Sequence, residues 1–387
     1  MNILRAAVLA IGLGLSAPAT AQPTPSLASS AEAGWTSNVE RTADGGADFY
    51  ITYTHSLGLV AAEGDFALRG TILFEDTRYA ELWRENDWSA SATLEAETRL
   101  GADTALRGRL LISYGEESRS LATLAGPLGI VQPNLAALAR LRAESALGDA
   151  IVGADVAYAA QRPGDTRFEA SLLPPARTEA VTDTLTAGLE LAHPLSPTAA
   201  LAARAQYTAV LVAPEEQEAF ARFPLSIARL AAGFDLTDGV QSSATLRAGI
   251  DLLIPEDVSI DPLVTPYAEF ASELAVNQYL TLATTLEAAT DTEDPADGLA
   301  DWRLKARGSI LLTPAPQWAL EAAGFAKHIH SPALDLLIET EHGGELIARW
   351  MPAGGLRLEA LARYRRVEGL APTYDETRIG LRISAAI

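Results

Sequence analysis

Basic side chains recur at every second position in several segments, and this spacing suggests selection of charged solutes. Arg107 and Arg109 form one such row, and Arg303, Lys305 and Arg307 form another. Side chains two positions apart on a β-strand lie on the same face of a sheet. Rows of charge that face a water-filled passage influence which solutes cross it. These rows predict a charged wall, provided that the segments carrying them are strands.

Catalysis and metal binding have weaker support. His328 and His330 share a face if their segment is extended, but no third metal ligand can be assigned from the sequence. The chain has no G-x-S-x-G, H-E-x-x-H, P-loop or G-x-G-x-x-G motif. We therefore expect no enzyme activity, no metal and no cofactor. A hydrolase that assembles its serine, histidine and acid from distant strands stays open as an alternative.

The composition describes a large acidic protein. Its 387 residues are 48% apolar and carry 29 Lys and Arg against 50 Asp and Glu, for a net charge of −21. The apolar share excludes a disordered protein. The absence of cysteine excludes disulfide scaffolds, thiolate metal sites and cysteine nucleophiles. The negative charge argues against a nucleic-acid partner, whose phosphates attract a basic surface.

The N-terminus has the three parts of a secretory signal peptide. Arg5 supplies the positive region, residues 6–15 are apolar, and Ala19-Thr20-Ala21 is a small-residue cleavage site. We expect cleavage after Ala21, so that residues 1–21 are the signal peptide and 22–387 form the exported protein. No cysteine follows the cleavage site, so we expect no lipid anchor.

Apolar and polar residues alternate strictly along the exported part. Between Trp88 and Leu100 one parity is mainly apolar, and the other carries serine, threonine, glutamate and arginine. Segments 106–114, 301–310 and 378–387 repeat the pattern. A period of two indicates strands with one apolar and one polar face. Beyond the N-terminus, no uncharged segment has the composition of a transmembrane helix, which needs about 20 mainly apolar residues.

Turn signals group these strands into hairpins in which short and long connections alternate. Short turns are predicted near residues 62–64, 101–103, 148–149, 196–197, 238–239, 277–278, 314–316 and 352–355. Longer loops are predicted at 42–46, 78–86, 117–132, 162–178, 213–223, 254–262, 291–299, 330–337 and 367–374. The repeat of about 40 residues is typical of outer-membrane barrels, which have tight turns on one side and long loops on the other.

These features predict an all-β fold. We expect one transmembrane antiparallel up-and-down β-barrel over residues 22–387, with about 18 strands and 16 as the alternative. A soluble β-propeller also repeats about every 40 residues. Its blades bury both faces, so charged residues should not fill one parity so regularly. The barrel is therefore the favoured interpretation.

If the apolar parity faces lipid, the other parity lines the lumen. The predicted pore-lining residues are Arg99, Arg107, Arg109, Arg140, Arg142, Arg303, Lys305, Arg307, Arg357, Arg363, Arg365, Arg378, Arg382, Glu95, Glu97, Glu269 and Glu273. Most of the negative charge then falls in loops, and two basic arcs favour anionic solutes or acidic polymers. The alternative is that lumen arginines pair with lumen carboxylates and stiffen the wall.

The segment Gly34-Trp35-Thr36-Ser37-Asn38-Val39, with Arg41 and Asp48-Phe49-Tyr50-Ile51 after it, resembles the opening strands of the β-barrel porin type 2 family. The resemblance covers roughly 30 residues. Members are outer-membrane barrels, many of them found with machinery that secretes capsular polysaccharide or exopolysaccharide. The resemblance implies a polysaccharide-export porin in which Asn38 points inward near the first loop. It supplies no catalytic residues.

Together these observations predict an outer-membrane channel of a Gram-negative bacterium that exports exopolysaccharide or a related polymer. The expected partners are outer-membrane lipid, the barrel-assembly machinery and polysaccharide-export machinery. Outer-membrane barrels commonly end in Phe or Trp, whereas this sequence ends in Ile387, which keeps the apolar parity. The alternatives are a general diffusion porin for small anionic solutes, an outer-membrane hydrolase, and a plugged structural or adhesive barrel.

Overall fold

The structure is a computed structural model that describes residues 23–43, 45–123, 126–169, 173–238, 241–256, 260–292, 298–352, 354–370 and 372–386. The predicted signal peptide, residues 1–21, lies outside the described residues. Among the helices of the described ranges, none has the length and apolar character needed to cross a membrane.

The described residues form nineteen strands joined by turns and loops. The strands are β1 (Thr24–Thr36), β2 (Asp48–Glu63), β3 (Phe66–Tyr79), β4 (Asp87–Leu100), β5 (Thr104–Thr123), β6 (Gly126–Leu147), β7 (Ala150–Pro163), β8 (Arg167–Glu169), β9 (Thr182–Ser196), β10 (Ala199–Val212), β11 (Leu225–Thr237), β12 (Ser242–Pro255), β13 (Leu263–Asn277), β14 (Leu280–Asp291), β15 (Asp301–Ala315), β16 (Trp318–Ser331), β17 (Leu336–Trp350), β18 (Leu356–Gly369) and β19 (Tyr374–Ala386). A helix, α1 (Pro214–Phe220), and a 3₁₀ turn, Trp83–Glu85, lie in two of the loops.

Eighteen of these strands close into one antiparallel barrel. Each pairs with its neighbours along the chain, and β1 pairs with both β2 and β19, so that Thr36 lies opposite Arg378. The three-residue β8 pairs with Gly129–Val131 near the start of β6, and β7 pairs directly with β9. The predicted all-β barrel of 18 strands is confirmed, and the alternative of 16 is wrong. Closure leaves no unpaired edge strand among the eighteen described strands of the barrel.

The register keeps the two parities on separate faces all the way around. Glu95 lies opposite Arg109, which lies opposite Arg140, and all three are on one face. The other face exposes large apolar side chains: Leu189 is 61% exposed, Leu230 60% and Leu381 68%. An exposed apolar band of this extent is typical of a barrel surrounded by lipid rather than water.

Tight turns lie at one end of the barrel, as predicted. Gly101 and Gly148 begin two of them with φ angles of +77° and +63°, in the left-handed region that glycine adopts without a steric penalty. The longer connections lie at the opposite end.

One predicted loop, residues 117–132, is wrong. The ladder between β5 and β6 continues through these positions to Thr123 opposite Gly126, which makes the strands 20 and 22 residues long. Pro133 in β6 lies between the end of the β6–β7 ladder at Asn134 and the start of the β6–β8 ladder at Val131. A strand tolerates proline where its missing N–H is not needed by a neighbour.

Candidate functional site: the charged interior of the barrel

The charged parity faces the barrel interior. Arg142 on β6 reaches Glu190 on β9 at 2.7 Å, and Arg247 on β12 reaches the same carboxylate at 3.4 Å. These strands are not neighbours, so the three side chains meet inside the barrel. By register, all the predicted pore-lining residues lie on this inner face.

Ion pairs on one side of the interior join into a continuous row, which we call the first ladder. Successive partners lie 3.4, 3.3, 2.7, 2.7, 3.4 and 3.1 Å apart. In order, its members are Glu97, Arg107, Glu144, Arg142, Glu190, Arg247 and Asp235. Arg109 with Glu95 and Arg140 with Asp155 form separate pairs beside it, at 3.5 and 3.1 Å.

A second ladder crosses the seam where the barrel closes. Its members, in order, are Glu345, Arg307, Glu321, Arg349, Glu359, Arg382, Glu32 and Arg378. At its end, the Tyr50 hydroxyl donates to Glu32 at 2.7 Å and accepts from Arg378 at 2.7 Å. This ladder therefore ties β19 to β1 and β2 through side chains as well as backbone.

Most of the predicted basic residues are thus paired with carboxylates. Arg357 joins Glu359, Arg363 and Arg365 face Glu341, and Arg303 pairs with Asp291 at 2.6 Å. This arrangement agrees with the alternative in which arginines stiffen the wall, and it makes the wall nearly charge-balanced. The exposed pairs of the wall, such as Arg107 with Glu97, each contribute only about 0–1 kcal/mol to stability.

A few predicted residues stand outside these pairs. Within the described ranges, Arg99, Lys305 and Glu273 have no oppositely charged side chain within 4.0 Å, and all three are exposed on the inner face. Glu269 accepts a hydrogen bond from the Tyr267 hydroxyl at 2.8 Å.

Asn38, which the family resemblance places near the first loop, is buried there. Its amide donates to the backbone oxygens of Thr42 at 2.7 Å and Asp375 at 3.3 Å, and its side-chain oxygen accepts from the Thr42 N–H. Asn38 therefore holds the loop after β1 against the start of β19.

The histidine pair lies on the outer face. The His328 Nδ1 atom and the Thr340 hydroxyl form a hydrogen bond of 3.3 Å, and the ring centres of His328 and Trp302 lie 6.4 Å apart. Within the described part of the chain, no three His, Asp or Glu side chains are grouped so that they could hold a metal.

An apolar cluster covers part of the interior at the long-loop end. Leu225, Leu253 and Val210 lie on the inner face near the long-loop ends of β11, β12 and β10. They pack with Leu299 and Ala300, and all five residues are 0–2% exposed. The backbone N–H of Phe223 donates to Gly298 at 3.0 Å, and the Arg222 guanidinium donates to Leu299 at 3.0 Å. We call residues 213–224 and 298–300 the loop cap.

The two segments of the loop cap overlap the loops predicted at 213–223 and 291–299, but packing of these loops inside the barrel was not predicted. A signal was available, because Val210, Leu225, Ile227 and Leu253 are apolar residues on the parity that elsewhere carries charge. Four apolar residues on the inner parity, at the ends of the adjacent strands β10, β11 and β12, indicate that an apolar segment packs inside the barrel there.

The wall has a local break between β13 and β14. Their ladder ends with Ala268 opposite Ala288, although β13 begins five residues earlier at Leu263. Pro266 lies in the unpaired stretch and offers no N–H to a neighbouring strand. Its carbonyl accepts from the Trp302 indole at 2.8 Å, so a side chain takes the place of a ladder bond.

Next to the loop cap and the break lies a cavity of about 260 Å³. One wall carries hydroxyl and amide groups from β7, β9 and β10, and the other carries charged groups from β11, β14 and β15. The cavity is partly enclosed, and it combines an uncharged polar wall with a charged one.

No family model matches the sequence. No curated protein matches it. Among solved structures, the chain is similar to a mutant of the ferric enterobactin receptor PfeA from Pseudomonas aeruginosa, with 8% identity, a TM-score of 0.52, and 94% of this chain and 80% of that chain covered. It is also similar to the copper transporter OprC, with 9% identity, a TM-score of 0.51, and 96% and 82% covered.

CdiB from Acinetobacter baumannii has 12% identity and a TM-score of 0.46, and this chain spans 65% of its length. At such identities, the likenesses to PfeA and OprC concern the fold alone. They show a barrel that resembles Gram-negative outer-membrane proteins, and the two names are those of a receptor and a transporter.

Proposed function

We propose that the protein is an outer-membrane channel through which hydrophilic solutes cross. The observation that supports it is the two-faced wall, in which 18 paired strands expose leucine and isoleucine outward and charged side chains inward. An apolar outer band suits the hydrocarbon of a bilayer. Porins of 16–18 strands enclose an aqueous channel.

Conductance of the purified full chain in planar bilayers tests this function. We expect discrete steps of ionic current, and a protein that inserts without any current would be a plugged barrel instead. Insertion is checked separately, because a folded barrel in detergent migrates differently on a denaturing gel before and after heating. A chain that stays in solution without detergent would overturn the membrane assignment.

For the substrate, we propose a polysaccharide that crosses as an extended chain, with export machinery and the barrel-assembly machinery as partners. The resemblance of Gly34–Val39 and Asp48–Ile51 to the porin type 2 family supports this. The balanced ladders are compatible with such a chain, because alternating charges hold neither a cation nor an anion strongly.

A diffusion porin for small solutes is the second candidate, and the loop cap favours it because the cap narrows the opening that a polymer would use. A deletion strain separates the two. Loss of surface polysaccharide with normal uptake of small solutes supports export, whereas normal polysaccharide with slower uptake supports diffusion.

A further inference from the structure

The cavity beside the loop cap has one wall made of uncharged hydrogen-bonding groups. Elsewhere the inner face of these strands carries Asp155, Glu190 and Arg204, but six inner positions around the cavity, on the neighbouring strands β7, β9 and β10, carry neutral polar groups. They are Gln161, Thr182, Thr184, Thr186, Gln206 and Thr208.

These groups use part of their hydrogen-bonding capacity on one another. Thr182 donates to the Gln161 amide oxygen at 3.3 Å, and the Gln206 amide donates to Thr208 at 3.3 Å. The Thr186 and Thr208 hydroxyls share a third hydrogen bond of 3.2 Å. Within the described residues, the Thr184 hydroxyl has no side-chain partner, and neither do the Gln161 amide nitrogen and the Gln206 amide oxygen. A hydroxyl donates once and accepts twice, and an amide does both, so this wall offers both roles to a ligand.

The facing wall is charged but balanced. Arg229 is held by Asp251 in two hydrogen bonds of 2.7 and 2.9 Å and lies 4.3 Å from the centre of the Tyr267 ring. Lys305 and Glu287 lie opposite each other on β15 and β14, both exposed to the cavity. Among the described residues, neither has an opposite charge within 4.0 Å, so a donor-only group and an acceptor-only group stand side by side.

This combination disfavours ions and suits neutral polar molecules. An anion that approaches Lys305 also meets Glu287, and a cation that approaches Glu287 also meets Lys305. A molecule with many hydroxyl groups both donates and accepts at each of them, which matches the amide and hydroxyl wall and the Lys–Glu pair together. The volume of about 260 Å³ lies just below the usual range for ligand pockets, about 300–1,000 Å³, so it suits a single sugar ring.

We propose that this cavity is a binding site for one ring of an uncharged polyhydroxylated solute, such as a hexose unit of an oligosaccharide. The inference deepens the proposed channel function by assigning a substrate class to one place on its wall. The site selects solutes by hydroxyl groups, and the ladders elsewhere leave the passage without a strong preference for either sign of charge.

Calorimetric titration of the full chain with maltotriose tests the site, in a detergent without a sugar headgroup such as lauryldimethylamine oxide. We expect saturable binding by the unmodified protein, and glucuronate at the same concentrations should bind more weakly. No saturable binding of maltotriose, or tighter binding of glucuronate, would overturn the proposal.

Two substitutions remove hydrogen-bonding groups with little change of shape: Thr184→Val and Gln206→Leu. Each should weaken maltotriose binding roughly two- to tenfold, since a neutral hydrogen bond contributes about 0.5–1.5 kcal/mol. The matched control is Thr93→Val, an inner-face threonine on β4 away from the cavity, and it should bind maltotriose like the unmodified protein. Equal affinity in all three variants would contradict the assignment.

Current through planar bilayers separates this inference from the function on which it rests. Conductance without calorimetric binding would overturn the sugar site and keep the channel. Binding without any conductance would support the site and overturn the channel.

Discussion

Arg229 and Asp251 face each other across β11 and β12 and form two parallel hydrogen bonds, from Nε to Oδ1 at 2.7 Å and from Nη2 to Oδ2 at 2.9 Å. Asp251 is 0% exposed, and its Oδ2 also accepts the backbone N–H of Thr290 at 2.9 Å. The carboxylate therefore joins two strands of the wall to the end of β14, at the height where β14 has left its ladder with β13.

This burial predicts a large loss of stability in Asp251→Ala. The substitution leaves the Arg229 guanidinium buried without its counterion, which costs about 3–5 kcal/mol. Unfolding of the barrel in lipid vesicles with urea measures the loss. The control is Glu97→Ala, because Glu97 and Arg107 are about half exposed and such pairs contribute about 0–1 kcal/mol. Similar losses in both variants would contradict the special role of Asp251.

Gly298 holds the loop cap, and Gly298→Ala should release it. Its φ is +75°, and a Cβ there would lie 1.9 Å from the backbone oxygen of Ala221, so the two segments of the cap must separate. We expect faster proteolytic cleavage within residues 213–224. Gly148→Ala is the matched control, since Gly148 has a φ of +63° but open space around it. Faster cleavage in both variants, or in neither, would show that the close approach of Gly298 to Ala221 does not hold the cap.

The face of each strand residue could be predicted from sequence because a period of two is a local property. Leu94 and Glu95 lie on opposite faces whatever the rest of the chain does. The partners of the charged residues could not be predicted in this way. Glu190 meets arginines 48 and 57 positions away along the chain, and only closure of the barrel and the reach of the side chains bring them together.

The loop cap and the break in the wall depend on the same kind of long-range packing. Phe223 meets Gly298 because the loop between β10 and β11 approaches the loop between β14 and β15, and no period within either loop encodes that approach. Pro266 within β13 is a local sign of the break, since a central strand rarely tolerates proline. The 260 Å³ cavity forms next to both features, so the alternation of residues alone could not locate it.

The Trp302 indole should stabilise the break between β13 and β14 through its hydrogen bond to Pro266. Trp302→Phe keeps an aromatic ring on the outer face but removes the N–H donor, so we expect a loss of about 0.5–1.5 kcal/mol in the unfolding free energy. Trp318→Phe is the matched control, because Trp318 also lies on the outer face and stacks on Trp350 at 6.0 Å. If both variants lose the same amount, the ring rather than the N–H accounts for the effect of Trp302.

Lys305 should influence ion selectivity more directly than any paired arginine, because its charge faces the interior and no carboxylate of the described part of the chain lies within 4.0 Å of it. We expect the reversal potential of Lys305→Gln in a salt gradient to shift toward cation selectivity. Lys305→Arg should behave like the unmodified protein, and so should Arg78→Gln, since Arg78 lies on the outer face and pairs with Asp76 at 2.8 Å. The shift should shrink as salt rises, because the screening length falls from about 10 Å at 0.1 M to about 3 Å at 1 M. An unchanged reversal potential in Lys305→Gln at low salt would show that ions do not pass this side chain.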